Sequence, residues 1–342
     1  MLSDQAYPYD EELSYHLVNL ALVGEIQPIW ESREPKHPDL DDLFAIPQVY
    51  YPDLFIGCKT PTDEIHADIQ GYIRNYYELI GTIRIGQGAV SDFEEYPLEW
   101  TATEIKSIED LFRAMSSYSQ RVAEEVNSLR YNFSRSLIGY ALRSVVDGHG
   151  IIALRGTVSP NEWLNNLNYQ LVPFHLLDAQ YGHVHNGFRN LYKCIRGRYR
   201  ELVEQFDIET PIYLVGHSLG AGLSQLGALD VVIKYPERAN QLRVYSYAAP
   251  RVGDATFAAA YNRLIETSYQ IVNVCDVVPY LPFEEMGAFL KQPGYPYADT
   301  KGQLGFVHQA GNLLANHTSS YHLATRMKVP APIDASVPKR LS

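Results

Sequence analysis

Ile212-Tyr213-Leu214-Val215-Gly216-His217-Ser218-Leu219-Gly220-Ala221-Gly222 is the stretch on which the reading of this chain turns. Four apolar residues run into Gly-His-Ser-Leu-Gly, and a helical pattern follows. The order is strand, sharp turn, helix, with a serine at the apex, the pattern of a nucleophile elbow. Such a serine projects its hydroxyl from the end of a buried sheet. Gly216 and Gly220 lack the Cβ atoms that would clash across the turn, and Ala221 and Gly222 let the helix pack closely. The helix N-terminus aims backbone N–H groups at the reacting oxygen. The expected chemistry is acyl transfer with Ser218 as nucleophile.

On both sides of this stretch the chain alternates strand and helix. Leu137 to Val145 and Gly150 to Leu154 read as strands. Phe188, Leu191, Tyr192, Ile195, Tyr199, Leu202, Val203 and Phe206 mark an amphipathic helix. Leu242 to Ala249 reads as a strand, Asp254 caps a helix over about 255–265, and Ile271 to Val274 is a strand leading to Asp276. This alternation predicts an α/β fold, a mostly parallel central sheet with helices on both faces. Sites in such sheets lie beyond the carboxyl ends of the strands. Leu304 to Val307 reads as an edge strand.

The first 130 residues read as an extension packed on the core, helical and irregular. Glu11 to Leu22 has helical spacing, then prolines at 28, 35, 38, 47 and 52 break any long element. Ile69, Tyr72, Ile73, Tyr76, Tyr77 and Ile80 fit a helix, with a short strand at Thr82 to Ile85. A longer helix is expected from Ile108 to Leu129. The expected division is extension over 1–130, catalytic core over 131–327 and a flexible, Pro-rich tail over 328–342.

Composition narrows the function classes. The chain has 342 residues and a formal net charge of −12, which argues against a nucleic-acid partner. Tyrosine is abundant, at 26 residues, as half-buried side chains or as lining for an apolar site. Three cysteines, widely spaced, make neither a disulfide framework nor a zinc knuckle, and Cys275 reads as a small core residue. No signal peptide or apolar run of membrane-spanning length is visible, so a cytoplasmic location is expected. No protein partner is predicted.

A serine hydroxyl needs a base, and the base needs an orienting carboxylate. Asp276 ends an apolar run, where an unpaired acid is costly. Three histidines follow it: His308, His317 and His322. His317, opening a polar stretch before Tyr321, is the first choice; His322 starts the last helical stretch, and His308 reads as strand. His217 points away from the nucleophile and reads as structural. The oxyanion needs two donors: the backbone N–H of Leu219 and one from the loop after an early strand, where Thr157 in Arg155-Gly156-Thr157 fits.

Six ordered blocks carry a resemblance: Ile152-Ala153-Leu154-Arg155-Gly156-Thr157, Glu162-Trp163-Leu164-Asn165-Asn166-Leu167, Val184-His185-Asn186-Gly187-Phe188, Gly216 to Gly222, Ala249-Pro250-Arg251-Val252-Gly253, and Asn273-Val274-Cys275-Asp276-Val277-Val278-Pro279. Over about residues 137–325 their order and spacing resemble the class 3 lipase family of fungal triacylglycerol lipase type. The resemblance implies an α/β-hydrolase fold and a triad of Ser218, Asp276 and a C-terminal histidine. The family places that histidine a few residues before a tyrosine, which favours His317. It further implies an oxyanion hole from Thr157 and Leu219, and a lid over about Ser159–Tyr169 carrying Trp163, Leu164 and Leu167. The expected substrates are acyl lipids or other esters at a lipid–water interface, with no metal or cofactor. Phospholipase, galactolipase and acyltransferase readings use the same residues and stay open. So does a lipid- or partner-binding protein on the same scaffold.

Overall fold

A computed structural model describes residues 9–10, 13–22, 77–84, 137–156, 170–282, 296–310, 316–318, 320–321 and 331–332. The first helix, α1, spans residues 13–22. The strands are β1 (Tyr77–Arg84), β2 (Leu137–Ser144), β3 (Gly150–Leu154), β4 (Leu171–Leu176) and β5 (Ala179–His185). After them come α2 (Asn186–Glu204), β6 (Ile212–His217), α3 (Leu219–Lys234), β7 (Leu242–Tyr247), β8 (Gly253–Asp254), α4 (Ala255–Leu264) and β9 (Thr267–Asn273). The last strands are β10 (Tyr297–Ala298), β11 (Gln303–Phe306) and β12 (Ala331–Pro332).

Eight strands form the central sheet in the order β1-β2-β3-β6-β7-β9-β11-β12. The five from β3 to β11 are parallel; β1, β2 and β12 are added antiparallel at the flanks. The carboxyl ends of the five parallel strands therefore share one edge. A second, antiparallel sheet has the order β10-β8-β5-β4. This is the α/β-hydrolase arrangement expected above.

Alternation along each strand sends side chains to two different cores. In β6, Ile212 and Leu214 face α2, α3 and α4, while Val215 faces the opposite side with Ile151, Tyr245, Tyr247, Tyr269 and Ile271. On the first side, α2 buries Phe188, Tyr192, Ile195, Tyr199, Leu202 and Val203, a stripe at steps of three, four and one. Helix α3 is buried nearly throughout, because it lies between the sheet and the other helices. Arg200 pairs with buried Asp230 at 2.6 Å, and the Tyr192 hydroxyl donates to the same carboxylate at 2.7 Å, joining α2 to α3. Asp254 caps α4 by accepting from the Phe257 N–H at 2.8 Å.

The opposite face is covered by α1. Leu17, Val18, Leu20, Ala21 and Leu22 are buried there. Fully burying one such leucine or valine contributes about 1.5–3 kcal/mol. Buried and half-buried tyrosines of this face bond α1 through their hydroxyls. Tyr247 donates to the Ser14 carbonyl at 2.8 Å, Tyr9 donates to the Ser14 hydroxyl at 2.7 Å, and Tyr140 donates to the Leu20 carbonyl. Tyrosine here fastens a helix to a sheet.

Three expectations need correction, and one element is new. Residues 77–80 are strand, not the end of a helix, and β1 makes the N-terminal segment part of the central sheet. A bulge between Leu79 and Gly81 breaks the alternation that marks a strand. The stretch at 303–306 is not an edge, since β11 lies between β9 and β12. The small sheet was not foreseen: β8 and β10 have two residues each, and Pro173 sits within β4. Cys275 is half-buried in the turn after β9 rather than in the core. Of the flexible tail expected over 328–342 only residues 331–332 are described, and they pair with β11 as β12; the expected helices at 69–76 and 108–129 and the lid residues Trp163, Leu164 and Leu167 lie outside the described residues.

Candidate active site

The elbow is built by steric necessity. Ser218 stands between β6 and α3 with φ 53° and ψ −120°, a conformation that side chains rarely adopt. It costs about 1–3 kcal/mol. Its N–H is held by the Tyr247 carbonyl at 2.9 Å. A Cβ on Gly216 would lie 2.2 Å from the Gly220 backbone, and one on Gly220 would lie 2.2 Å from the Leu154 carbonyl. Only glycine fits at either place. The second contact also shows that α3 starts against the exit of β3.

Two segments converge on Ser218 at the carboxyl edge. Asp276 follows β9, and His317 lies in a helical turn beyond β11. His317 Nε2 stands 2.8 Å from Ser218 Oγ, and His317 Nδ1 stands 2.8 Å from Asp276 Oδ2. A carboxylate can only accept, so Nδ1 carries the proton and Nε2 accepts from the serine hydroxyl. All three side chains are buried, Asp276 to 1% exposure. A buried carboxylate must be fully hydrogen-bonded. Asp276 Oδ1 accepts the Val278 N–H at 3.0 Å, and Oδ2 also accepts the Tyr321 hydroxyl at 2.8 Å. Burial, reinforced by the Asp276 charge, pushes the Tyr321 pKa well above its ordinary value. The hydroxyl therefore stays protonated and remains a donor.

Two asparagines set the spacing of the acid and the base. Asn273 is fully buried and uses its whole side-chain capacity. Its amide nitrogen donates to the carbonyls of His308 (2.8 Å) and Asn316 (3.1 Å), and its oxygen accepts from the N–H groups of His308 (3.0 Å) and Cys275 (3.2 Å). Asn316 donates to the Cys275 carbonyl at 3.0 Å and accepts the Ala310 N–H at 2.8 Å. The acid's turn and the base's segment are thus joined beside the triad. Arg251 holds the next loop through the carbonyls of Tyr280 and Pro282, both at 3.1 Å, and is itself paired with Asp299 at 2.9 Å.

The structure brings together Ser218, Asp276 and His317. His308 is elsewhere: its Nδ1 is 2.9 Å from the Ser320 hydroxyl. It lies in the loop after β11, not within a strand. His322 and Thr157 fall outside the described residues. Leu219 opens α3 directly after the serine. Leu154 is in register with Gly216, so the segment leading to Thr157 leaves the sheet beside the elbow. Sequence reasoning did not foresee Asn273, Asn316 or the hydroxyl of Tyr321. Their only signal was position: Asn273 opens the block that ends in Asp276 and Pro279, Asn316 precedes His317, and Tyr321 lies one helical turn beyond it. Among the described residues no group of three or more His, Cys, Asp or Glu could hold a metal ion, and no helix is long and apolar enough to cross a membrane.

Residues 151–286 match the lipase (class 3) family. The match includes Ser218 and Asp276 and stops before His317. Phospholipase A1-II 4 of Oryza sativa subsp. japonica is 31% identical over 183 residues, covering 42% of this chain and 46% of that protein. Secreted mono- and diacylglycerol lipase A of Penicillium cyclopium is 30% identical over 176 residues, covering 49% of this chain and 55% of that protein. The chain thus spans about half the length of these relatives. Among solved structures, a Rhizomucor miehei triacylglyceride lipase is 25% identical, with a TM-score of 0.39 over 49% of this chain and 61% of that one.

Proposed function

We propose that this chain, whose residues 151–286 carry the class 3 lipase pattern, hydrolyses fatty-acyl esters of glycerolipids through an acyl-Ser218 intermediate. The observation that carries the reading is the continuous line from Ser218 Oγ to His317 to Asp276, both links at 2.8 Å, with the serine at φ 53°. His317 takes the serine proton as Oγ attacks the acyl carbonyl, and returns it to the departing alcohol. Asp276 fixes the tautomer and stabilises the imidazolium. The N–H groups of Leu219 and Thr157 receive the oxyanion; each such donor contributes about 10²–10³ in rate. Water then releases the fatty acid.

Support for a glycerolipid substrate comes from the printed activities of the two relatives, one a phospholipase A1 and the other a mono- and diacylglycerol lipase. A binding protein on the same scaffold has no use for a hydrogen-bonded triad held by a strained turn. The test is a panel of monoacylglycerol, diacylglycerol, triacylglycerol, phospholipid and galactolipid, run on wild type and Ser218→Ala. Wild type should release fatty acid, and the variant should lose about a million-fold in turnover, as serine hydrolases do without their nucleophile. Fatty-acid release by Ser218→Ala at the wild-type rate, or a folded wild type that neither hydrolyses any ester nor reacts with a fluorophosphonate, ends the proposal.

A further inference from the structure

His217, which the sequence left without a role beyond packing, contacts the base. It is the last residue of β6 and is 1% exposed. Its side chain projects to the face of Val215, the face that holds Tyr321. Its Nε2 lies 2.7 Å from the backbone carbonyl of His317. A carbonyl can only accept, so Nε2–H is the donor, and it donates whether the ring is neutral or charged. The His217 ring lies 4.8 Å from the His317 ring and 5.8 Å, edge-on, from the ring of Tyr321, whose hydroxyl holds Asp276. The residue before the nucleophile therefore anchors the segment that carries the base.

This anchor matters unequally in the two halves of turnover. In the free enzyme the His317 ring is held at both nitrogens, by Asp276 at Nδ1 and by the Ser218 hydroxyl at Nε2. In the acyl-enzyme Oγ carries the acyl group in place of its hydrogen and no longer donates. The ring then keeps Asp276, and its backbone keeps His217. We propose that His217 is a positioning residue for deacylation, holding His317 in place while Ser218 is esterified; this rests on the hydrolase reading above. In that step a water oxygen attacks the acyl carbon and its proton passes to His317 Nε2. The tetrahedral intermediate then collapses, the carbon–Oγ bond breaks, and Nε2 returns the proton to Oγ. The products are the carboxylic acid and the free serine.

The experiment is stopped-flow hydrolysis of a p-nitrophenyl ester by wild type, His217→Asn and His217→Gln. The glutamine amide reaches about as far as imidazole Nε2; the asparagine amide stops near Nδ1. Melting temperature and the rate of Ser218 labelling by a fluorophosphonate are measured alongside. A misplacement of order 1 Å can cost about a hundredfold. H217N should slow deacylation by about tenfold to a hundredfold while labelling stays within about threefold of wild type, so that a burst of nitrophenol appears. H217Q should recover most of the deacylation rate. If H217N does not fold, His217→Ser carries the same expectation. Equal losses in both steps, or no loss, overturn the proposal while leaving the hydrolase reading intact. A wild type that neither turns over nor labels overturns both.

Discussion

The two ends of the central sheet each hold an aspartate, a histidine and a tyrosine, and only one end is equipped for catalysis. At the carboxyl edge Asp276 is 1% exposed and accepts from His317 and Tyr321. At the opposite edge Asp147 lies 2.6 Å from His149 Nδ1, and the Tyr77 hydroxyl stands 3.0 Å from His149 Nε2. The Asp147 side chain is 63% exposed. Water satisfies that carboxylate whatever the imidazole does, and salt screens the pair. Asp276 has no such alternative, so each of its hydrogen bonds fixes geometry. The group on Nε2 differs as well: a tyrosine at the start of strand β1 at one end, a serine at a strained turn at the other. The contrast teaches that residue types do not make a relay; burial and backbone strain do.

The comparison can be broken at four places. Asp276→Asn keeps the shape and reverses the tautomer of His317. It should lower kcat by about 10⁴-fold with folding retained, measured by ester hydrolysis and circular dichroism. An activity within tenfold of wild type would remove Asp276 from the relay. Tyr321→Phe deletes one donor to a buried carboxylate, a loss of about 1–3 kcal/mol, or roughly a tenfold to hundredfold fall in kcat. Because the Tyr321 hydroxyl titrates well above its ordinary value, wild type should show no alkaline limb near pH 10 that Y321F lacks. Leu17→Ala, on the face opposite α2 and α3, should cost about 2–5 kcal/mol of stability in a denaturant titration while Ser218 labelling of the folded fraction is unchanged.

Asp147→Asn is the smallest change. Burial alone would raise the Asp147 pKa, but the Ser144 hydroxyl and the His149 ring outweigh it and hold the carboxyl below its ordinary value. A depressed carboxyl stabilises the fold above its unfolded pKa of about 3.9 and loses that contribution as pH falls through the folded value. Wild type and D147N should therefore differ by less than about 1 kcal/mol at neutral pH. The difference should vanish in acid melts, and turnover should not change. A larger stability gap would make the exposed pair more than a surface contact.

The legible parts of the fold were those where one residue sees one environment. Phe188 to Phe206 has a clean helical period because one side of the helix faces one core, and Ile212 to Val215 is an unbroken apolar run because both faces of β6 are covered. Strand β1 was hidden, since its bulge between Leu79 and Gly81 puts Ile83 in the opposite core from Tyr77 and Leu79, where regular alternation would keep all three on one face. The small sheet was hidden because backbone pairing alone, with two-residue strands, defines half of it. At the site, Ser218 and Asp276 announced themselves by standing at strand ends. His317 shared its neighbourhood with two other histidines; what separates it from His308 is the Asn273–Asn316 bracket, a long-range arrangement that no local window contains.

The bond between Ser14 and Tyr247 joins residues 233 positions apart in the chain. During synthesis at about 5–20 residues per second, α1 leaves the ribosome on the order of ten seconds or more before β7 exists to receive it. For that interval the core that takes Leu17, Val18 and Leu20 can draw only on earlier strands such as β1, β2 and β3, without Tyr245, Tyr247, Tyr269 or Ile271. The nascent chain thus carries an apolar helix whose cover is completed only late, a window of incomplete burial set by the order of the chain.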